Sequence, residues 1–294
     1  MIAMAFDVEP LTGCFGASVR GLRLAGLDDE TFGDLYDTWL EYALLIFPDQ
    51  HLTNAEQVAF ARRFGALEFD IVALSNVRED GSLRTGDDDD MVKILKGNMG
   101  WHHDSTYMPV QAKGAVFSAH VVPAEGGETA WADTAAAYEA MDATMQARIA
   151  GLCAHHSLQY SQMKAGFRHK DEDSEYFGYG MHEASAPLRP LVKTHPETGR
   201  KALTIGRHAH AIDGLSEQDS EALLDELVAF TCQPPRVYQH RWTPGEVVVW
   251  DNRRLMHQAC PWDMREKRVM YHSRIAGDPA SEGALPGPAS SAAE

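Results

Sequence analysis

The chain has 294 residues, 44% of them hydrophobic, and a formal net charge of −17 at pH 7. That field repels nucleic acid and anionic membrane surfaces, so neither is expected as a partner, and an anionic small molecule needs a local group of arginines. No apolar run approaches the roughly 20 residues of a membrane helix, and Cys14, Cys153, Cys232 and Cys260 form no CxxC pair, so a reduced cytoplasmic protein without a structural zinc is expected.

The first ten residues, MIAMAFDVEP, lack the basic start of a signal peptide. Residues 28–43, DDETFGDLYDTWLEYA, place Phe32, Leu35, Tyr36, Trp39 and Leu40 at helical spacing. LLIFPD, 44–49, reads as a buried strand closed by Pro48. TNAEQVAFARRFG, 53–65, offers a capping box, Thr53 with Glu56, ahead of a helix that stops at Gly65. REDGSLRTGDDDDM, 78–91, predicts a polar, turn-rich loop. Asp87 to Asp90 lack the alternating spacing of a calcium loop and read as a solvated acidic run.

From Asn98 onward the signals are mostly strand, as in KGAVFSAHVVP, 113–123, which ends in the turn AEGGE. DTAAAYEAMDATMQARIAGL, 133–152, predicts one helix. Residues 160–185 are charged, aromatic and glycine-rich, which predicts a long irregular segment of the kind used as a lid or binding loop. RPLVKTHPETGRKALTIG, 189–206, reads as a hairpin turning at PETG. A helix capped by Ser216 follows, and GEVVVWDN, 245–252, is a strongly apolar strand. The small, polar, proline-rich tail, 279–294, is expected to lack fixed structure, leaving one domain over 1–278. Separated strands with a few inserted helices predict an antiparallel barrel or jelly roll. A Rossmann arrangement is disfavoured, because no GxGxxG follows a strand.

NMGWHHDSTYMP, 98–109, carries the first chemical signal. Side chains alternate along a strand, so His102 and Asp104 point to one side and His103 to the other. Taken alone, the pair also reads as a polar surface turn. His257, just beyond the apolar run in VVVWDNRRLMHQA, is also readable alone as a core histidine. Together the three have the composition of a 2-His-1-carboxylate facial triad, which leaves three open positions on Fe(II). Arg268 and Arg274 follow in REKRVMYHSRIAGD, which alternates like another strand, and a buried arginine can pair with a carboxylate through two hydrogen bonds. His208 and His210 in GRHAHAI are a rival metal pair, but no matching carboxylate and distal histidine accompany them. They read as structural or pocket-edge residues.

WHHDSTY, PAEGGETAWAD, WDNRRLMHQA and RVMYHSRIAGD, in this order, resemble the taurine and 2,4-dichlorophenoxyacetate dioxygenase family, over a span from about Phe6 to Asp278. GNMGWHHDSTYMPV, GAVFSAHVVPA, FGYGM, APLRPLVKTHPETGR, IGRHAHAI and RVMYHSRIAG resemble its (S)-phenoxypropionate/2,4-dichlorophenoxyacetate subgroup. The resemblance implies a mainly β fold with inserted helices around a double-stranded β-helix, a cupin-like jelly roll. It implies an Fe(II) enzyme that uses 2-oxoglutarate and O₂.

Carried onto this chain, the iron ligands would be His102, Asp104 and His257. Thr129 and Arg268 would bind 2-oxoglutarate, and Asn98 would line the substrate pocket. Taurine enzymes have a further arginine four residues beyond the position of Arg268. Here that residue is His272, which speaks against a sulfonate substrate. If strand alternation continues, His272 and Arg274 share the face of Arg268, and Arg274 is assigned to a substrate or co-substrate carboxylate. An apolar slot for an aromatic ring is sought in FDIVALSN, 69–76, and in the segments YSQMKAGF and YFGYG.

The implied reaction hydroxylates the carbon between ether oxygen and carboxylate of an aryloxyalkanoate. The products are a phenol, glyoxylate or pyruvate, succinate and CO₂. The same chemistry on a sulfonate, an alkyl sulfate or another small acid is the nearest alternative. A non-catalytic metal-binding jelly roll is the alternative of another class. Asp104 disfavours a halogenase, which carries a small residue in place of that ligand. Family members are commonly oligomers, so the resemblance also allows a homo-oligomer.

Overall fold

The computed structural model describes residues 5–84, 86, 89–166 and 186–286. Strands β1 (Asp7–Pro10) and β2 (Ala17–Arg20) pair antiparallel. Helix α1 (Asp29–Tyr42) starts where the Asp28 side chain accepts from Thr31 N, and ends at Ala43, whose φ of 63° turns the chain into β3 (Leu44–Phe47). Helix α2 (Asn54–Arg62) opens on the Thr53/Glu56 capping box and leads to β4 (Leu67–Ser75). Next come α3 (Asp90–Gly97), β5 (Gly114–Val121), β6 (Thr129–Asp133), α4 (Thr134–Ala140), α5 (Ala143–Ile149), β7 (Cys153–His156) and α6 (Leu158–Lys164). After the undescribed span lie β8 (Leu188–Pro190), β9 (Val192–Thr194), β10 (Lys201–Leu203), β11 (Ala209–Ile212) and α7 (Glu217–Thr231). The chain closes with β12 (Val237–His240), β13 (Val247–Asp251), β14 (Leu255–Ala259), β15 (Val269–Ile275) and α8 (Pro279–Glu282). None of the described helices is long and apolar enough to cross a membrane.

Two sheets make the jelly-roll core. The larger has the order β1-β2-β3-β13-β5-β15-β4, and the smaller is β12-β6-β14. Alternation explains how the larger sheet is covered on both faces. Val247 and Val249 of β13 pack with Trp39, Phe60 and Phe64 of the α1 and α2 layer. Val248 and Trp250, which alternate with them along the strand, pack with Trp131, Trp242 and Leu255 toward the smaller sheet. A third cluster joins α4 and α7 to the strands around β7 and β11.

Several local expectations need correction. The predicted single helix over 133–152 is two helices, because Met141 turns to an extended ψ of 144° and Asp142 caps a new start at Met145 N. The segment read as irregular, 160–185, begins inside helix α6 (Leu158–Lys164), so its residues 160–164 are helical, with Ser157 as the cap. The YFGYG and FGYGM stretches and Asp87 and Asp88 lie outside the described residues. Helix α3 was not anticipated, and its cap is Asp89, from the acidic run. In the tail, Pro279–Glu282 is helical, Gln111 N donates to Glu282 O at 3.0 Å, and Leu285 N donates to Leu188 O at 2.9 Å. Residues 287–294 lie outside the described span.

Candidate metal centre

His102 does not sit in a long strand. It forms a one-residue bridge to β14, in which His102 N donates to His257 O at 2.9 Å and His257 N donates to His102 O at 2.8 Å. This pairing brings the two imidazoles side by side, with ring centroids 4.3 Å apart. Asp104 follows two residues later, at the start of a turn. His102 Nε2 lies 3.9 Å from Asp104 Oδ1, and His257 Nε2 lies 3.9 Å from Oδ2. One ligand atom from each residue falls within 4.8 Å of the others. His103 points away, with its Nδ1 2.8 Å from Asn252 O.

The electrostatics favour a cation. Burial pushes the His102 pKa well below 6.5 and that of His257 down to about 4, so both rings are neutral at pH 7 and offer lone pairs. His102 Nδ1 lies 2.7 Å from Gly100 O, which fixes the proton there and leaves Nε2 free. Burial raises the Asp104 pKa, but Arg274 chiefly, then His257 and His272, outweigh it and the net shift is downward. Asp104 Oδ2 is buried without a hydrogen-bond partner among the described residues. A buried carboxylate oxygen facing two neutral imidazoles fits a divalent cation of the kind that takes N and O ligands.

The trio opens on a cavity of about 290 Å³, also lined by Asn98, Thr129, Arg268, His272 and Arg274. Thr129 opens β6, where it pairs with Ala259 of β14, and its Oγ1 accepts from Trp242 Nε1 at 3.0 Å. That bond uses a lone pair and leaves the hydroxyl proton to donate elsewhere. Arg268 precedes β15, and its Nε donates to Gly127 O at 3.1 Å. Gly127 has a φ of 70°, and a Cβ there would sit 3.2 Å from Arg268 Cδ, so the glycine makes room for the arginine stem. The guanidinium packs over the Trp262 ring at 5.1 Å and makes no salt bridge among the described residues, with Glu128 acting on it only electrostatically. Burial lowers its pKa to about 10, so it stays cationic.

His272 and Arg274 lie opposite Phe117 and Ala115 of β5, on the face toward the smaller sheet. His272 stacks on Trp250 at 5.7 Å and is held neutral, its pKa lowered by burial to about 3. Arg274 Nη2 donates to Asp104 Oδ1 at 2.8 Å, and Nη1 donates to Ser105 Oγ at 3.1 Å.

Sequence reasoning missed Arg207, next to the histidine pair it weighed. This arginine lines the cavity and hydrogen-bonds Gly97 O, beside Asn98 at the end of α3. It too makes no salt bridge among the described residues, although the Asp104 carboxylate acts on it electrostatically. Its neighbour His208 also lines the cavity, its Nδ1 2.9 Å from Ser161 Oγ, and His210 stacks on Tyr160. Among the described residues the two form no metal cluster. Phe69, Val72 and Leu74 of β4, with Met91, Ile94 and Leu95 of α3, supply an apolar wall.

Residues 7–274 match the taurine catabolism dioxygenase TauD, TfdA family. An (S)-phenoxypropionate/alpha-ketoglutarate-dioxygenase of Sphingobium herbicidovorans is 66% identical over 96% of this chain and 98% of its own length. A protein of the same name from Delftia acidovorans is 55% identical over 95% of this chain and 97% of its own. The crystal structure of AAD-2 in complex with Mn(II) and N-oxalylglycine aligns with a TM-score of 0.87 at 34% identity, covering 97% of this chain and 100% of that one.

Proposed function

The chain belongs to the taurine catabolism dioxygenase TauD, TfdA family, and from that premise we propose that it is a 2-oxoglutarate-dependent dioxygenase of phenoxyalkanoates, with Fe(II) held by His102, Asp104 and His257. The observation that carries the reading is the trio of buried ligand atoms within 4.8 Å, opening on a cavity with an apolar wall and two arginines, Arg207 and Arg268, that make no salt bridge among the described residues. The names of the relatives at 66% and 55% identity support the substrate class.

Bound at the trio, Fe(II) with 2-oxoglutarate and O₂ supplies the power to convert a C–H bond to C–OH, with succinate and CO₂ as co-products. The protein's residues bind, orient and exclude water. Arg268 and the Thr129 hydroxyl hold the distal carboxylate of 2-oxoglutarate. Asn98 and the neutral His272 flank the substrate. Arg274 neutralises Asp104 and takes the carboxylate role less readily than the sequence suggested, because its guanidinium already meets Asp104 and Ser105. Arg207 is the cation left for the substrate carboxylate. The β4 and α3 wall takes the aromatic ring. Hydroxylation between ether oxygen and carboxylate gives a hemiketal from a 2-aryloxypropanoate, which collapses to a phenol and pyruvate. A 2-aryloxyacetate gives a phenol and glyoxylate.

The test is succinate and phenol release from (R)- and (S)-2-(2,4-dichlorophenoxy)propanoate, for wild type and His102→Ala. Phenol from the (S) form, lost in the variant, is expected. Faster 2-oxoglutarate consumption with taurine or an alkyl sulfate would overturn the substrate, and no succinate from any acid would overturn the enzyme.

A further inference from the structure

We propose that Asn252 is the positioning residue of the metal-facing carboxylate, holding the Asp104 peptide on both its N–H and its C=O so that the side chain is aimed at the two imidazoles. The inference rests on the reading of Asp104 as a metal ligand. Asn252 follows β13 and is fully buried. Its Oδ1 accepts from Asp104 N at 2.7 Å, while its Nδ2 donates to Asp104 O at 3.0 Å and to Ala112 O at 2.9 Å. One primary amide thus makes the two bonds that an antiparallel strand neighbour would make to a single residue.

Its backbone extends the grip. Asn252 N donates to Lys113 O at 3.0 Å, and Asn252 O accepts from Gln111 Nε2 at 3.3 Å and lies 2.8 Å from His103 Nδ1. Both ends of the loop from His103 to Lys113 are therefore fastened to one residue, which is not among those lining the cavity.

The loop needs this fastening. Just after Asp104 the chain turns through Ser105 at a φ of 57°, a left-handed conformation that a non-glycine residue keeps only when its surroundings impose it. Ser105 Oγ donates to the Glu68 carboxylate at 2.7 Å and accepts from Arg274. Asp104 lies outside every named strand and helix, so no regular ladder fixes its peptide. An aspartate at 252 would keep the acceptor and lose the donor. A carboxylate oxygen would then face the carbonyls of Asp104 and Ala112.

The test uses the full chain and Cu(II), the tightest binder of the divalent series, so that weakened sites stay measurable. Affinity is read by calorimetric titration and ligation by electron paramagnetic resonance, for wild type, Asn252→Asp, Asp104→Ala and the double variant. Asn252→Asp is expected to weaken binding by about 10- to 100-fold and to shift the spectrum toward that of Asp104→Ala. In the Asp104→Ala background it adds no further loss, because the two changes act through one carboxylate. Equal losses in both backgrounds would mean general damage and overturn the inference. Unchanged affinity in Asn252→Asp, beside weakened binding in Asp104→Ala, overturns the inference alone. Unchanged affinity in Asp104→Ala overturns the metal-ligand reading and the inference with it. If Asn252→Asp does not fold, Asn252→Ser, whose side chain is one atom shorter and gives up the two-sided grip on the peptide without adding a charge, carries the same comparison.

Discussion

Arg274 reaches across from β15 and donates to Asp104 Oδ1 at 2.8 Å, with His272 Nε2 3.6 Å from the other carboxylate oxygen. A buried carboxylate facing two neutral imidazoles is costly without a cation, and Arg274 supplies one that the trio itself lacks. Removing one member of a buried pair costs about 3–5 kcal/mol, because the remaining charge is left uncompensated. Arg274→Leu should therefore destabilise the metal-free protein by about that amount. Saturating Mn(II) should restore a large part, since the bound cation takes over the neutralising role. Urea denaturation with and without Mn(II) checks this, and an equal loss in both conditions would rule the account out.

The two cavity arginines that make no salt bridge among the described residues, Arg268 and Arg207, should separate in kinetics. A hydrogen bond to a charged group contributes about 1.5–3 kcal/mol, which corresponds to about a ten- to hundredfold change in affinity. Arg268→Leu should raise the KM for 2-oxoglutarate by that factor and leave the KM for the phenoxy acid little changed. Arg207→Leu should do the reverse and raise the share of succinate formed without phenol. Steady-state assays of both products decide it, and exchanged effects would reassign the two residues.

His156 predicts an acid limb of stability. Burial, then Arg189 and neighbouring imidazoles, pushes its pKa well below 6.5, and neither ring nitrogen has a hydrogen-bond partner among the described residues. The folded-state value is depressed, so the unfolded chain binds a proton that the folded chain refuses. The stability is fully present above the unfolded value of about 6.5 and is lost as pH falls below it. His156→Met, which has no proton to take, should lose about 1 kcal/mol less per pH unit between pH 6 and pH 5. Denaturation at several pH values measures the slope, and an unchanged slope would discard the assignment.

Much of the fold was legible locally. The capping box at Thr53 and Glu56, the helical spacing from Phe32 to Leu40 and the apolar run ending at Trp250 each report a local constraint. What was misread was also local in cause. The pattern over 133–152 reads as one helix, and the extended turn at Met141 with Asp142 capping Met145 splits it. Helix α3 was hidden behind an acidic run whose Asp89 serves as its cap.

The sequence by itself determined the chemistry on offer: a His-x-Asp pair, a distant histidine, an arginine ahead of a strand, and motifs that resemble one family. Tertiary structure decided which of these groups meet. His257 reaches His102 through a single bridge between segments far apart in the chain. Arg268, Arg274 and Arg207 look alike in a sequence, yet one packs on Trp262, one pairs with Asp104, and one hydrogen-bonds Gly97 at the end of α3. Asn252 lies inside the WDNRRLMHQA motif, but nothing in that motif says that its amide meets the Asp104 peptide. The reason is physical: spacing and capping are fixed by the backbone nearby, whereas the work of a buried charge or amide is fixed by the partners that folding brings to it.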